Sequence, residues 1–126
     1  MRVSRTQIVD GVADYIKRDI LPKMADDRAV QIIFTIAVNA AMANDRLVDS
    51  VFDNDIVRSM LEDDGTGTYE IGGIVDAMRS AINEFGAFPV SIPAIPLVSP
   101  REITLTLNGE DIEAIKRRIE DVSRIH

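Results

Sequence analysis

The sequence predicts a mainly α-helical, bundle-like domain with a short β ribbon before the C-terminal helix, and three observations carry that expectation. Apolar side chains recur at three- and four-residue spacing through five successive segments, which puts them on one face of a helix each time. Four prolines, Pro89, Pro93, Pro96 and Pro100, interrupt the stretch AFPVSIPAIPLVSP, a spacing no helix survives. Immediately after it, Ile103, Leu105 and Leu107 alternate with Thr104 and Thr106, the period of a half-buried strand. With 126 residues and 46% hydrophobic content, residues 1–126 are expected to form one domain with a modest core.

The first helix is signed at its start. Ser4 and Gln7 make a capping box, with Val3 and Ile8 placed as a hydrophobic staple, so the helix begins at Arg5. Ile8, Val12, Ile16 and Ile20 follow at four-residue spacing, with Val9, Ala13 and Leu21 beside them. Pro22 is expected to end or bend this helix, and Tyr15 to serve as a packing handle at its edge.

The densest apolar block follows. Between Ala29 and Ala43 only Gln31, Thr35 and Asn39 are polar, and they fall on one narrow line of an otherwise apolar cylinder. This is the pattern of a buried central helix jacketed by others. A membrane span is excluded by length: fifteen residues reach about 22 Å where a bilayer core needs about 30 Å. The polar line has two readings, the lining of a ligand cleft or a strip facing solvent and neighbouring polar groups. The second is favoured because a buried amide without a partner costs about 1–3 kcal/mol.

The next segment, LVDSVFDNDIVRSML, keeps one apolar face, and Asp53, Asn54 and Asp55 are favourable caps. It reads as two short helices, the second from about Asn54, or as one kinked helix. Asp45, Asp49 and Asp53 repeat every four residues, which on an unbroken helix would stack three carboxylates toward a divalent cation. A cap at Asp53 would break that stack. Residues 62–71 resemble a calcium loop only superficially, since Gly73 stands where a bidentate Glu is required, and a turn built on Gly65 and Gly67 is expected instead.

A further helix is written from about Tyr69 to Phe85, with Gly86 as its left-handed terminator. Gly72 and Gly73 in its first turns are read as marking close backbone contact with a neighbouring helix. The proline-rich stretch, residues 87–100, is then an extended arm or sheet edge that exposes Phe88, Val90, Ile92, Ile95 and Leu97 unless something covers them. It either packs back over its own helices or reaches a second subunit. A two-stranded ribbon between part of Phe88–Val98 and the Ile103–Leu107 strand is expected. Asn108 and Asp111 cap the last helix, whose outer face should carry Glu113–Arg117 and Glu120–Arg124 ion pairs. Lys116, Arg117 and Arg118 read as a solvated face rather than a phosphate site.

Composition removes several chemistries. Cysteine is absent and the one histidine is His126, which leaves no thiol nucleophile, no Cys/His zinc set and no usual imidazole base. No cofactor or metal is expected. The N-terminal residues lack the apolar run of a secretory signal, so a cytoplasmic location is the default expectation. The net charge of -7 is concentrated in the middle: residues 1–25 sum to about +2, 26–64 to about -6 and the rest to about -3. Phosphate backbones would repel such a chain, so direct nucleic-acid binding is not expected, and neither is membrane binding.

These readings lead to a non-enzymatic interaction or assembly protein, a homo-oligomer that self-associates through the proline-rich arm at Phe88, Val90, Ile92, Ile95 and Leu97. The alternative is an acidic inhibitor or nucleic-acid mimic that presents Asp45, Asp49, Asp53, Asp63 and Asp64 to a basic partner. A carboxylate- or metal-dependent enzyme ranks last, because no nucleophile and base stand in a recognisable arrangement.

Overall fold

The computed structural model describes residues 1–24, 27–43, 46–61, 65–92 and 102–125. The fold is mainly helical with two small antiparallel ribbons. In chain order its elements are β1 (Arg2–Ser4), α1 (Arg5–Tyr15), a π-helical turn (Ile16–Ile20), α2 (Leu21–Met24), α3 (Arg28–Ala43), α4 (Arg46–Phe52) and α5 (Asp55–Met60). There follow β2 (Thr68–Glu70), α6 (Ile71–Phe85), β3 (Phe88–Ile92), β4 (Ile103–Leu107) and α7 (Gly109–Ile125).

The capping box forms as the sequence indicates: the Gln7 amide donates to Ser4 Oγ at 3.2 Å, and the Ser4 amide donates to Gln7 Oε1 at 2.8 Å. Val3 and Ile8 are both fully buried. Pro22 does not end the helix. A proline ring clashes with the carbonyl four residues back, and the π turn just upstream widens the ladder there, with the Leu21 amide donating to Ile16 O. The rod therefore continues to Met24.

The core lies between α1, α6, α7 and the inner face of the β3–β4 ribbon, with α4 and part of α3 closing one side. The tightest seam is between α1 and α7. Gly11 is buried there, and a Cβ on it would stand 2.9 Å from both Cα and N of Ile119, so only glycine permits the two backbones to come this close. Gly72 and Gly73, which the sequence suggested for such a role, are exposed, and a Cβ on either would meet nothing within 4 Å. They lie in the first turn of α6, on its solvent side.

Residues 46–60 are two helices. Asn54 Oδ1 accepts from the Ile56 and Val57 amides at 3.1 and 3.3 Å, and this side-chain cap starts α5 after α4 has ended at Phe52. Gly65 and Gly67 adopt positive φ, 83° and 70°, and turn the chain into β2. The strand replaces the first helical residues expected from Tyr69, because Thr68–Glu70 pair with β1, Val3 opposite Tyr69. The carbonyl of Met1 then accepts from the Ile71 amide at 3.1 Å, so the residue leading into β1 satisfies one amide at the start of α6. At the other end Gly86, φ 85°, closes α6 with its amide donating to Ile82 O at 2.7 Å.

The expected ribbon is present, with Phe88 opposite Leu107, Val90 opposite Leu105 and Ile92 opposite Ile103. Of the two readings of the proline-rich stretch, residues 88–92 follow the one in which it packs back over its own helices. Phe88, Val90 and Ile92 are at most 1% accessible, covered by the protein's own core, while Pro89 points outward. Period-two alternation makes this so: a strand that carries apolar residues at 88, 90 and 92 lays all three on one side, and each full burial stabilises by roughly 1.5–3 kcal/mol. Ile95 and Leu97 lie outside the described residues. The outer edge of β3 is closed by α4, since Ser50 Oγ donates to Ser91 O and accepts from the Ser91 amide, both at 3.2 Å.

In α7, Asn108 Oδ1 caps the Glu110 and Asp111 amides and Asp111 Oδ2 accepts from the Asn108 amide at 2.8 Å. The Glu120–Arg124 pair forms at 3.6 Å. Glu113 instead pairs with Arg79 of α6, which packs alongside, and Arg117 is exposed.

Candidate functional site

Helix α3 departs most from expectation. The sequence pattern reads it as a buried central helix with one polar line, yet only Ala37, Val38 and Ala41 are buried along it. At about 100° per residue three faces separate. The buried face, with half-buried Phe34 and Met42 beside it, packs against α1, α2, α4 and β3. The polar line Gln31, Thr35, Asn39 forms the second. Thr35 Oγ1 donates back to Gln31 O at 2.9 Å and Asn39 Oδ1 accepts from Lys17 Nζ at 3.1 Å, so these groups engage local partners. The third face runs Ala29, Ile32, Ile33, Ile36, Ala40 and Ala43, and Ile32, Ile33 and Ile36 are 52%, 39% and 46% exposed.

The face of α3 that packs against α1 and α4 carries Ala37, Val38 and Ala41, and its bulky isoleucines lie on the opposite flank. Each isoleucine forgoes a large part of the roughly 1.5–3 kcal/mol that full burial contributes. Scattered apolar residues on a surface are ordinary; three isoleucines within two adjoining turns of one helix are a contiguous patch.

Of the acidic residues singled out in the sequence, Asp49 and Asp53 fall among the described residues, and they border different cavities. Asp49 and Asp53 are exposed, but Asp49 shares an open cavity of about 280 Å³ with Arg46, Ser50, Ser91 and Glu102. Asp53 borders a second of about 150 Å³ with Arg5, Phe52, Arg58, Leu61 and Tyr69. In that second cavity the Arg5 guanidinium lies 4.8 Å over the Phe52 ring, and Arg5 Nε donates to Tyr69 Oη at 3.2 Å. Asp45, Asp63 and Asp64 lie outside the described residues. Asp53 lies just past the end of α4 at Phe52, with its amide still donating to Asp49 O at 2.9 Å. Among the described residues no cluster of three or more metal-ligating side chains forms, and no helix is long and apolar enough to cross a membrane.

Titratable groups with displaced behaviour sit on the seam between α1, the π turn and α7. Tyr15 is buried and donates its hydroxyl to Asp111 Oδ1, the same carboxylate that caps α7 through its other oxygen. Burial first, then that hydrogen bond and the negative charge of Asp111, with smaller contributions from Asp19 and Glu110, hold the phenol well above its ordinary value. Arg118 donates to both oxygens of Asp19 at 3.0 Å and to Asp14 Oδ2 at 3.3 Å. The hydrogen bond to Asp19 raises its pKa, against an opposing effect of burial. The basic triplet thus resolves into one arginine clamped to the first helix and its neighbours Lys116 and Arg117 on the outer side. Both groups join helices and neither opens onto a cavity described above.

The stripe had a signal in the sequence. Positions 29, 32, 33, 36, 40 and 43 share a face distinct from 37, 38 and 41, so α3 has two apolar faces and only one needs to be inside. Periodicity does not say which. Compared with protein-family models, curated proteins and solved structures, the chain matches none of them.

Proposed function

We propose that this chain is a non-catalytic, self-associating interaction protein, and that it associates through the isoleucine stripe of α3 rather than through the proline-rich arm. The observation that carries the reading is the exposure of Ile32, Ile33 and Ile36 within two adjoining turns, beside a ribbon whose Phe88, Val90 and Ile92 are already covered. An apolar surface of this kind gains by removal from water, at about 25 cal/mol per Å². Light scattering on the intact chain across a concentration series tests it, with Ile33→Glu alongside. The intact chain should rise above monomer mass with concentration and the variant should stay monomeric with unchanged helical circular dichroism. A monomer at every concentration in both removes the proposal.

The alternative, an acidic inhibitor that meets a basic partner, draws on the exposure of Asp49 and Asp53 and the charge of -7. Arginines beside each of those two aspartates weaken it. Neutralising both would have to abolish binding to a basic partner protein for this reading to prevail.

A further inference from the structure

We infer that the smaller cavity, between the start of α1, the junction of α4 with α5, and β2, binds a free α-amino acid with a small apolar side chain. The inference does not depend on the self-association proposed above. It starts from which charges around the cavity are already used. Arg58 is committed to Asp55, at 2.7 Å. Arg5 and Asp53 are not: among the described residues neither side chain enters an ion pair, with the other or with any third group. One unpaired cation and one unpaired anion on the same cavity match a ligand that carries both charges and no net charge. A simple anion would meet Asp53, and a simple amine Arg5.

The cationic side is held in place. Arg5 is the first residue of α1, whose start the Ser4–Gln7 capping box fixes. Its guanidinium lies 4.8 Å over the Phe52 ring, Phe52 packs on Tyr69 with ring centroids 5.7 Å apart, and Nε donates to Tyr69 Oη at 3.2 Å. With Nε used, the two terminal nitrogens remain as the fork that receives a carboxylate in bidentate fashion. Tyr69 is 7% exposed, and its hydroxyl, having accepted from Arg5, keeps its own proton to donate to the same carboxylate. The anionic side is fixed through the backbone: the Asp53 amide donates to Asp49 O at 2.9 Å, and Asn54 next to it caps α5. The Asp53 carboxylate receives the ligand's ammonium. Leu61 and the rings of Phe52 and Tyr69 supply the apolar lining for a side chain. The volume of about 150 Å³ is that of a cavity that admits benzene, which suits a side chain such as valine's and not a large aromatic one. Arg5 and Asp53 are both exposed, so binding is weak, with a dissociation constant on the order of 1 mM.

Titration of the full chain with L-valine, followed by amide NMR spectra, tests the assignment. The amides of Arg5, Asp53 and Tyr69 should shift saturably, and isovalerate and isobutylamine, which each lack one of the two charges, should bind about ten-fold more weakly or less. Arg5→Gln and Asp53→Asn should each weaken valine binding by about ten-fold with unchanged helical circular dichroism. Isovalerate or isobutylamine binding as tightly as valine would overturn the inference, because only one of the two charges would then be in use. So would the absence of saturable shifts, or binding that both variants leave intact. Glu62, Asp63 and Asp64 follow Leu61 in the chain and lie outside the described residues, so a second sample carries Glu62→Gln, Asp63→Asn and Asp64→Asn together. Valine binding that appears only in that sample would mean that the chain's own carboxylates occupy Arg5, and it too would overturn the inference; equal binding in both samples supports it.

Discussion

Replacing Gly11 by alanine should destabilise the protein although alanine is the better helix former. In an ordinary helix interior the change gains about 0.5–1 kcal/mol, chiefly by restricting the unfolded chain. At Gly11 the new Cβ would stand 2.9 Å from two backbone atoms of Ile119, and backbone, unlike the end of a flexible side chain, cannot step aside without moving all of α7. Over-packing of this kind costs about 1–3 kcal/mol, and the rigid neighbour places it in the upper part of that range. The net loss is therefore about 1–2 kcal/mol, which for a chain of this size lowers Tm by about 4–8 °C. Urea unfolding and thermal melts of Gly11→Ala, beside Gly73→Ala as the control, measure it. Gly73 has open space around its missing Cβ, so its alanine variant should gain up to about 1 kcal/mol. If Gly11→Ala were stabilised to the same degree as the control, the close approach of α1 and α7 would not hold in solution.

Tyr15→Phe should lose about 1.5–3 kcal/mol by leaving the Asp111 carboxylate without its buried donor, and Asp111→Ala more, since the α7 cap goes with it. Because folding holds the Tyr15 phenol protonated, its contribution is complete below about pH 10 and falls as pH rises beyond the ordinary tyrosine value; denaturant melts between pH 8 and 11 should show a shallower alkaline decline in Tyr15→Phe. Arg118→Met, which leaves Asp14 and Asp19 facing each other without their shared cation, should cost about 1–2 kcal/mol after allowance for partial exposure, whereas Arg18→Ala, with an exposed guanidinium, should change stability by less than about 0.5 kcal/mol. Ser50→Ala opens both edge groups of Ser91 at once, and a loss of about 1–2 kcal/mol together with faster amide exchange at Ser91 is expected.

Much of the local architecture was legible because local chemistry sets it. Ser4 and Gln7 begin α1, Asn54 begins α5, Gly86 ends α6 and Asn108 with Asp111 begins α7, each through contacts within a few residues that spacing alone reveals. The β3–β4 ribbon was legible for the same reason: alternation and nearness in sequence leave few other pairings. The β1–β2 ribbon was not. Three residues are too few for a period to show, and their partners lie more than sixty residues away. The candidate site was half legible, as an apolar helix without the knowledge of which side is dry.

The sequence by itself determined the helical segments, their caps, the turn glycines and the chemistries the chain lacks, since all of these follow from composition and short-range spacing. Only the tertiary structure decided that Phe88, Val90 and Ile92 face inward, that Gly11 and not Gly72 or Gly73 lies where backbones meet, and that Ile32, Ile33 and Ile36 are left in water. The hydrophobic effect is non-directional. It makes every apolar face worth covering, and leaves to the packing of the whole chain which of them is covered from within.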